Sequence, residues 1–331
     1  MKYILVTGGA GFVGSNFIEY IFENYEDYYI LNLDKLTYAG SLDNIEKIEE
    51  SKYSFYQGDI RNFQIVDRIF KNHPIDYVVN FAAESHVDKS LENPQRFLET
   101  NVLGVQNLLD VTLKYWQKNF DNKKFLQIST DEVYGDRFRK DVADENTLLN
   151  PSSPYSASKA AGEMIVKAYG KSYGLPYNIV RSSNNYGPKQ HEEKLIPMAI
   201  NRLIKNQKIP IYGDGRQKRD WIFVIDNCKG IIEVLLNGQD KEIYNLGTGI
   251  LTENIKLIEI LIEKLNEKLK NNQINFDSIK YVEDRFGHDR EYKLNCSKIK
   301  EQLDWKQTVD LEKGIKKTID WYLKKNKMEP S

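Results

Sequence analysis

Five side chains in the middle of the chain have the types and spacing to do chemistry. The stretch Ser129–Gly135, STDEVYG, follows the apolar run Phe125–Ile128 and sets Thr130, Asp131 and Glu132 side by side at the end of an expected strand, with Tyr134 just after. Adjacent carboxylates repel and add nothing to packing. Two such groups can hold one proton between them, because the charge on one raises the pKa of the other. Further on, Tyr155 and Lys159 stand at i and i+4 in YSASK, a spacing that puts both on one face of a helix. The PSSP before them supplies capping serines and a proline suited to a helix start. An ammonium beside a phenol favours the phenolate, so Lys159 is expected to lower the Tyr155 pKa and make it a base near neutral pH.

The elements that must carry these residues follow from hydrophobic periodicity. Short β-rich apolar runs at 3–7, 28–34, 53–59, 76–83, 124–130 and 176–182 alternate with helical spacing at 11–22, 66–72, 96–118 and 154–174. Strands alternating with helices imply βαβ units and a parallel sheet covered on both faces. Runs such as YVVNFAA are continuously apolar, as double coverage requires. The expected fold is therefore α/β, a Rossmann-type doubly wound parallel sheet with a smaller α/β lobe. The first domain is expected over 1–184 and the substrate lobe mainly over 185–331, with some later strands and helices rejoining the first sheet. The lobe contains the amphipathic run 254–270, with Ile255, Ile258, Leu261, Ile262, Leu265 and Leu269 on one side, and a final helix near 310–326.

VTGGAGFVGS lies between the first strand and first helix and spaces Gly8, Gly11 and Gly14 as G-x-x-G-x-x-G. In that context Gly8 permits a tight turn, Gly11 lets backbone approach a pyrophosphate, and Gly14 lets helix pack on strand, with the helix N-terminus facing the phosphates. Asp34 ends the second strand, 20 residues after Gly14. A carboxylate there holds the ribose hydroxyls of NAD and would repel the extra phosphate of NADP. Asp59 ends the third strand where an adenine edge would lie, and Ala82 and Ala83 end the fourth and leave room for a dinucleotide.

The chain has 331 residues, 40% hydrophobic and 29% charged, with 47 Lys and Arg against 48 Asp and Glu. That balance excludes the basic excess of a nucleic-acid or membrane-surface binder. The two cysteines, Cys228 and Cys296, have no metal-ligand or disulfide-framework spacing, so no metal site is expected and a reducing cytoplasm is the simplest home. No signal peptide or membrane span is expected.

With the Tyr/Lys pair added to the glycine-rich turn, the chain resembles the extended short-chain dehydrogenase/reductase family over nearly its whole length. At STDEVYG, NFAAESHVDKS, DKLTYAG, SNNYGP, EKLIP, IYGDG with RDW, and DRFGHDREY it is similar to that family's nucleotide-sugar 4,6-dehydratases. Sugar epimerases of the family share the turn and the pair but lack the Asp-Glu after the Thr. The resemblance implies oxidation at a sugar C4 with Tyr155 as base and Thr130 as its hydrogen-bond partner. Water is then lost across C5 and C6 with Glu132 as base and Asp131 as acid, and hydride returns to C6. It extends the NAD set to Phe12, Val13, Lys35, Thr37, Ile60, Ser85, Thr100 and Asn185, together with Tyr155 and Lys159.

For a nucleotide-diphosphate sugar, Arg219 and Arg285 are the pyrophosphate candidates, since a guanidinium meets phosphate bidentately, with Lys194 and His288 beside them. Asn184, Leu195, Pro210, Tyr212 and Asn254 line the substrate pocket by resemblance, with Pro210 and Tyr212 flanking the base. By resemblance Ser85, His86 and Thr130 also belong to the substrate site, with His86 near the cofactor, while His73 and His191 are expected to have no chemical role. The chain departs from the family at Ser182, Phe286 and Glu291, which leaves dTDP or UDP open as the nucleotide. An epimerase, or a silent NAD-binding sensor on the same fold, remains an alternative. The resemblance also implies a homodimer built on the helices near 96–118 and 155–172.

Overall fold

A computed structural model of the chain describes residues 1–45, 48, 50–270, 274–284 and 287–327. Its strands are β1 (Lys2–Thr7), β2 (Tyr28–Asp34), β3 (Tyr53–Gln57), β4 (Ile75–Asn80), β5 (Lys124–Thr130), β6 (Tyr177–Ser182), β7 (Asn184–Tyr186), β8 (Ile209–Tyr212), β9 (Lys218–Phe223), β10 (Glu242–Leu246), β11 (Leu251–Glu253) and β12 (Ile279–Val282). Seven form one parallel sheet in the order β10-β6-β5-β4-β1-β2-β3. This is the doubly wound order, and strand order reverses beside β1, where a ligand binds outside the carboxyl ends of the strands.

Alternation along the strands explains their unbroken apolar runs. Ile4, Val6, Val79, Leu126 and Val180 pack into a core on one face, with the helices Phe12–Asn24 and Val224–Asn237. Leu5, Val78, Phe125 and Ile179 pack into a second core on the other, under the helices Phe63–Asn72, Val105–Trp116 and Pro154–Tyr173. A third core joins the helices Leu195–Ile204, Asn254–Leu269 and Leu311–Lys325 to the small sheets β11-β9-β7 and β12-β8. The helix Asn254–Leu269 buries Leu257 with Ile258, Leu261, Ile262 and Leu265, while Ile255 and Leu269 lie at the edge of the stripe. β10 supplies the seventh strand of the main sheet from late in the chain.

The helix that carries Tyr155 and Lys159 begins where its caps dictate. The Ser153 hydroxyl accepts from the Ser156 amide at 3.1 Å and the Ser153 amide donates to the Ser156 hydroxyl at 3.0 Å, a reciprocal capping box. Pro154 fills the first turn and Gly174 ends the helix in the left-handed region at φ 76°.

Two segments differ from the sequence expectation. The run 96–118 is not one regular helix: Pro94–Leu98 leads into a wide turn at Glu99–Gly104 before Val105–Trp116. The wide turn swings Asn101 inward, where its side chain accepts from the Glu84 amide at 2.9 Å and donates to the Glu84 carbonyl at 3.0 Å and the Ser158 hydroxyl at 2.9 Å. The fourth strand stops at Asn80 rather than 83, because Ala82 there meets the turn after β1. A Cβ on Gly8 would lie 2.7 Å from the Ala82 amide nitrogen. Among the described residues no helix is long and apolar enough to cross a membrane, and no cluster of three His, Cys, Asp or Glu is placed to hold a metal ion.

Candidate active site

A cavity of about 350 Å³ opens at the carboxyl ends of β1, β2, β4, β5 and β6. It is within the range of small-molecule sites. Every residue of the expected NAD set lines it, from Gly8, Gly11, Phe12, Val13 and Gly14 through Asp34, Lys35, Thr37, Asp59, Ile60, Ala82, Ala83, Ser85 and Thr100 to Asn185. The five residues Thr130, Asp131, Glu132, Tyr155 and Lys159 line the same cavity.

The glycine turn fits a dinucleotide on its own geometry. Gly8 sits at φ 71° against the Ala82 backbone, and a Cβ on Gly14 would lie 2.3 Å from the Gly8 carbonyl oxygen. A Cβ on Gly11 would meet only that oxygen, at 3.2 Å, so its outer side is left for a ligand at the N-terminus of the helix Phe12–Asn24. Asp34 accepts from the Ala10 amide at 2.9 Å and the Leu36 amide at 2.8 Å, which aims its carboxylate across the turn. Burial raises its pKa and those two amides oppose the rise. Asp59 is held between Lys35 and Arg61, each at 2.8 Å. Burial works against its charge, but the Arg61 and Lys35 hydrogen bonds win, and its pKa falls well below the usual carboxylate range. Orphaned buried oxygens on Ser183, Asn184, Asn185 and Gln190 also belong to residues lining the cavity. A group offering donors would satisfy them.

The turn after β5 places the acids. Thr130 caps it, accepting from the Glu132 amide at 3.3 Å and donating to Asp131 at 3.2 Å. Asp131 is 3% exposed and its second oxygen has no partner. Burial first, then the charge of Glu132, pushes its pKa well above the carboxylate range, against the pull of Arg219. Burial and the Glu132 charge therefore both favour the protonated form of Asp131.

Tyr155 is buried beside this turn, and here the structure corrects the sequence expectation. Burial, then the charge on Glu132, pushes its pKa up; the Thr130 hydrogen bond opposes them and Asp131 adds to the rise. The Lys159 ammonium donates to the Ile128 carbonyl at 2.6 Å, and burial pushes its own pKa down to about 8, with Glu163 opposing. Desolvation thus outweighs the phenol–ammonium pairing that sequence spacing suggests.

The expected substrate residues divide. Ser85, Asn184 and Lys194 line the cavity with Thr130, and the Lys194 ammonium donates to the Ser85 carbonyl at 3.1 Å. His86, Leu195, Pro210, Tyr212, Arg219, Asn254 and His288 lie outside its lining. His86 caps the helix Val87–Glu92 and stands 3.7 Å from Glu193. Burial, then the Lys194 charge, lowers its pKa. Leu195 begins the helix that follows Lys194. Pro210 and Tyr212 alternate with the buried Ile209 and Ile211 on β8, so both project from one face. Tyr212 meets His288 edge-on at 6.1 Å, and His288 bonds Asp284 at 2.6 Å. The Asn254 side-chain oxygen is buried and unpartnered. Arg219 is 5% exposed; its guanidinium donates to the Lys218 and Asp289 carbonyls, each at 2.8 Å, and lies 4.3 Å from the Tyr292 ring. Its charge reaches Asp131 and Tyr292. Arg285 and Phe286 lie outside the described residues.

Sequence reasoning missed residues that the fold brings to the site. Gln190 and Glu193 line the cavity from the loop after β7, with no periodicity to mark them. Glu163 is fully buried beneath the acid turn. It had a signal, since it lies one further i+4 step beyond Lys159 on the face that carries Tyr155.

Comparison with known proteins agrees with this geometry. The family described as GDP-mannose 4,6 dehydratase matches residues 5–318. The dTDP-glucose 4,6-dehydratase of Haemophilus influenzae is 42% identical over 333 residues, covering 98% of this chain and 98% of that protein. The crystal structure of dTDP-glucose 4,6-dehydratase from Bacillus anthracis in complex with NAD superposes with a TM-score of 0.89 at 40% identity, covering 99% of each chain. UDP-glucose 4-epimerase from Thermotoga maritima, solved with UDP-glucose, superposes with a TM-score of 0.87 at 31% identity, covering 98% of this chain and 99% of that one.

Proposed function

The chain belongs to the GDP-mannose 4,6-dehydratase family, and from that premise we propose that it is an NAD-dependent nucleotide-sugar 4,6-dehydratase converting dTDP-glucose to dTDP-4-keto-6-deoxy-glucose and water. The observation that carries the reading is Asp131: a buried acid with an unpartnered oxygen, its pKa raised by burial and by the neighbouring Glu132, in one cavity with Tyr155 and Lys159. Oxidation at C4 alone, or epimerisation there, has no use for a protonated acid next to a second carboxylate.

When bound, NAD supplies the acceptor and later the donor of hydride, and its positively charged ring would favour the phenolate of Tyr155. The chain does the rest. Tyr155 takes the proton of the C4 hydroxyl, with Thr130 holding the phenol and Lys159 adding positive charge. The new ketone acidifies C5–H, and Glu132 takes that proton. Asp131 gives its proton to the C6 hydroxyl, which leaves as water. Hydride is then delivered to C6 and a proton returns to C5 from Glu132. Gly11, Asp34 and Asp59 would hold the pyrophosphate, ribose and adenine ends of the dinucleotide.

The sugar nucleotide is proposed to enter past Ser85, Asn184 and Lys194. Pro210 and Tyr212 would flank its base, Asn254 and Leu195 would line the pocket, and Arg219 and Arg285, with Lys194 and His288, would meet its phosphates. A homodimer through the helices near 96–118 and 155–172 is supported by exposed Leu98, Leu103 and Met164. Cys228 and Cys296 are both free thiols, which suits a reducing cytoplasm.

The test is a panel of dTDP-glucose and UDP-glucose read by mass. Loss of one water from the dTDP sugar, with a 4-keto chromophore in alkali, is expected. Water loss from the UDP sugar alone would move the assignment to a UDP-sugar dehydratase, and an isomer of unchanged mass would make the protein an epimerase.

A further inference from the structure

The reading above leaves Tyr134 and the face beneath the acid turn without a purpose. Glu163 is 0% exposed and Arg181 2%, and they form an ion pair wholly inside the protein. Arg181 donates through Nε at 3.1 Å to both carboxylate oxygens and through Nη2 at 2.6 Å to one of them. Such pairs are costly to bury and gain little for stability over an apolar core, so their value is sought in what they hold. This one holds both ends of the acid turn. The Ser129 hydroxyl, one residue before Thr130, donates to Glu163. Tyr134, two residues after Glu132, accepts at its hydroxyl from Arg181 Nη1 at 2.7 Å and lies with its ring 4.7 Å from the guanidinium. That hydroxyl donates onward to Asn245 at 2.7 Å.

Glu163 also belongs to the other half of the site. It is on the helix that carries Tyr155 and Lys159, four residues beyond Lys159, and its charge opposes the burial that weakens the Lys159 ammonium. Arg181 faces Ser129 across the β5–β6 register. One buried carboxylate on the catalytic helix therefore holds the strand end directly and the turn's far anchor through Arg181.

We propose that Glu163 is a positioning residue: with Arg181 and Tyr134 it locks the turn bearing Asp131 and Glu132 to the helix bearing Tyr155 and Lys159, so that one bound sugar meets both the oxidising and the dehydrating groups without moving. The inference rests on the dehydratase reading and concerns a residue that contacts neither ligand. If the lock is loosened, the two stages fall out of register. Oxidation proceeds, water loss lags, and the enzyme accumulates with reduced cofactor.

The test uses the holoenzyme and two variants. Glu163→Gln keeps the side-chain shape and removes the charge; Tyr134→Phe removes only the hydroxyl that links Arg181 to Asn245. On adding dTDP-glucose, Glu163→Gln should show a build-up of absorbance at 340 nm absent from the wild type, and a kcat lower by about 100-fold, the order expected for small misplacement of reacting groups, with KM within about twofold. Tyr134→Phe should show the same pattern at about a tenth of the size. Wild-type kcat in Tyr134→Phe, or a rise in KM in either variant without the 340 nm signal, overturns the proposal. Should Glu163→Gln fail to fold, Tyr134→Phe alone decides it by the same two readouts. An inactive wild type would instead overturn the substrate assignment, and is read first.

Discussion

At the scale of single residues, the proposed chemistry is divided between one phenol and two acids, and the division can be measured. Tyr155→Phe should abolish reduction of the cofactor on mixing with substrate. Glu132→Gln and Asp131→Asn should leave that reduction visible at 340 nm and slow formation of the 4-keto product by about 10²–10⁴-fold, the usual worth of a positioned acid or base. Full turnover in Glu132→Gln would show that the base at C5 is another group. The Lys159 pKa, lowered by burial from 10.5 to about 8, predicts a pH profile. The ammonium is present below pH 8 and lost above it, so kcat should fall as pH rises through about 8 rather than near the pKa of a free lysine. These five residues were legible in the sequence because adjacency on one turn and an i, i+4 step on one helix fix their proximity locally. Their ionisation was legible only in part: the raised pKa of one of the two adjacent acids was expected, the raised pKa of Tyr155 was not. The sequence shows neighbours but not desolvation, and desolvation decides the direction for Tyr155, Asp131 and Lys159.

At the scale of elements, the glycine turn is the feature on which the proposed cofactor site depends. Gly8 combines a left-handed φ with contact to the Ala82 backbone, so Gly8→Ala must move two strand ends apart. About 1–3 kcal/mol of stability should be lost, and NAD carried through purification should drop to a small fraction of one per chain. Retention of a full complement of NAD with an unchanged Tm would mean that the turn is looser than drawn. Periodicity revealed the strands and helices of the main sheet, because double coverage leaves apolar residues on both sides of each strand. It could not reveal the wide turn at Glu99–Gly104, which exists to aim one polar side chain, Asn101, at the segment after β4. The substrate lobe was least legible. Its expected contacts come from β8, β9, the loop after β7 and the stretch around Asp284–Asp289, which no short motif ties together.

At the scale of the whole molecule, the buried acid leaves a signature in stability. The Asp131 carboxyl has its pKa raised in the folded chain above the 3.8 of a free aspartate, so the folded state keeps a proton that the unfolded chain would release. That contribution is complete below pH 3.8 and is lost as pH rises through the raised folded value. Asp131→Asn removes the titration, so its Tm should gain on the wild type as pH increases, by about 1.5 °C for each kcal/mol recovered in a chain of this length. A constant Tm difference across pH would show that Asp131 is not protonated in the fold. The proposed dimer predicts twice the chain mass in solution, and Met164→Asp, on the exposed face of the catalytic helix, should halve it. The measurement that bears most directly on the central claim uses dTDP-glucose labelled with deuterium at C4. A product lighter by one water, ketonic at C4 and carrying the deuterium at C6 is predicted. Unchanged mass with inversion at C4, or a dehydrated product without deuterium, whose third C6 hydrogen comes from solvent, would contradict it.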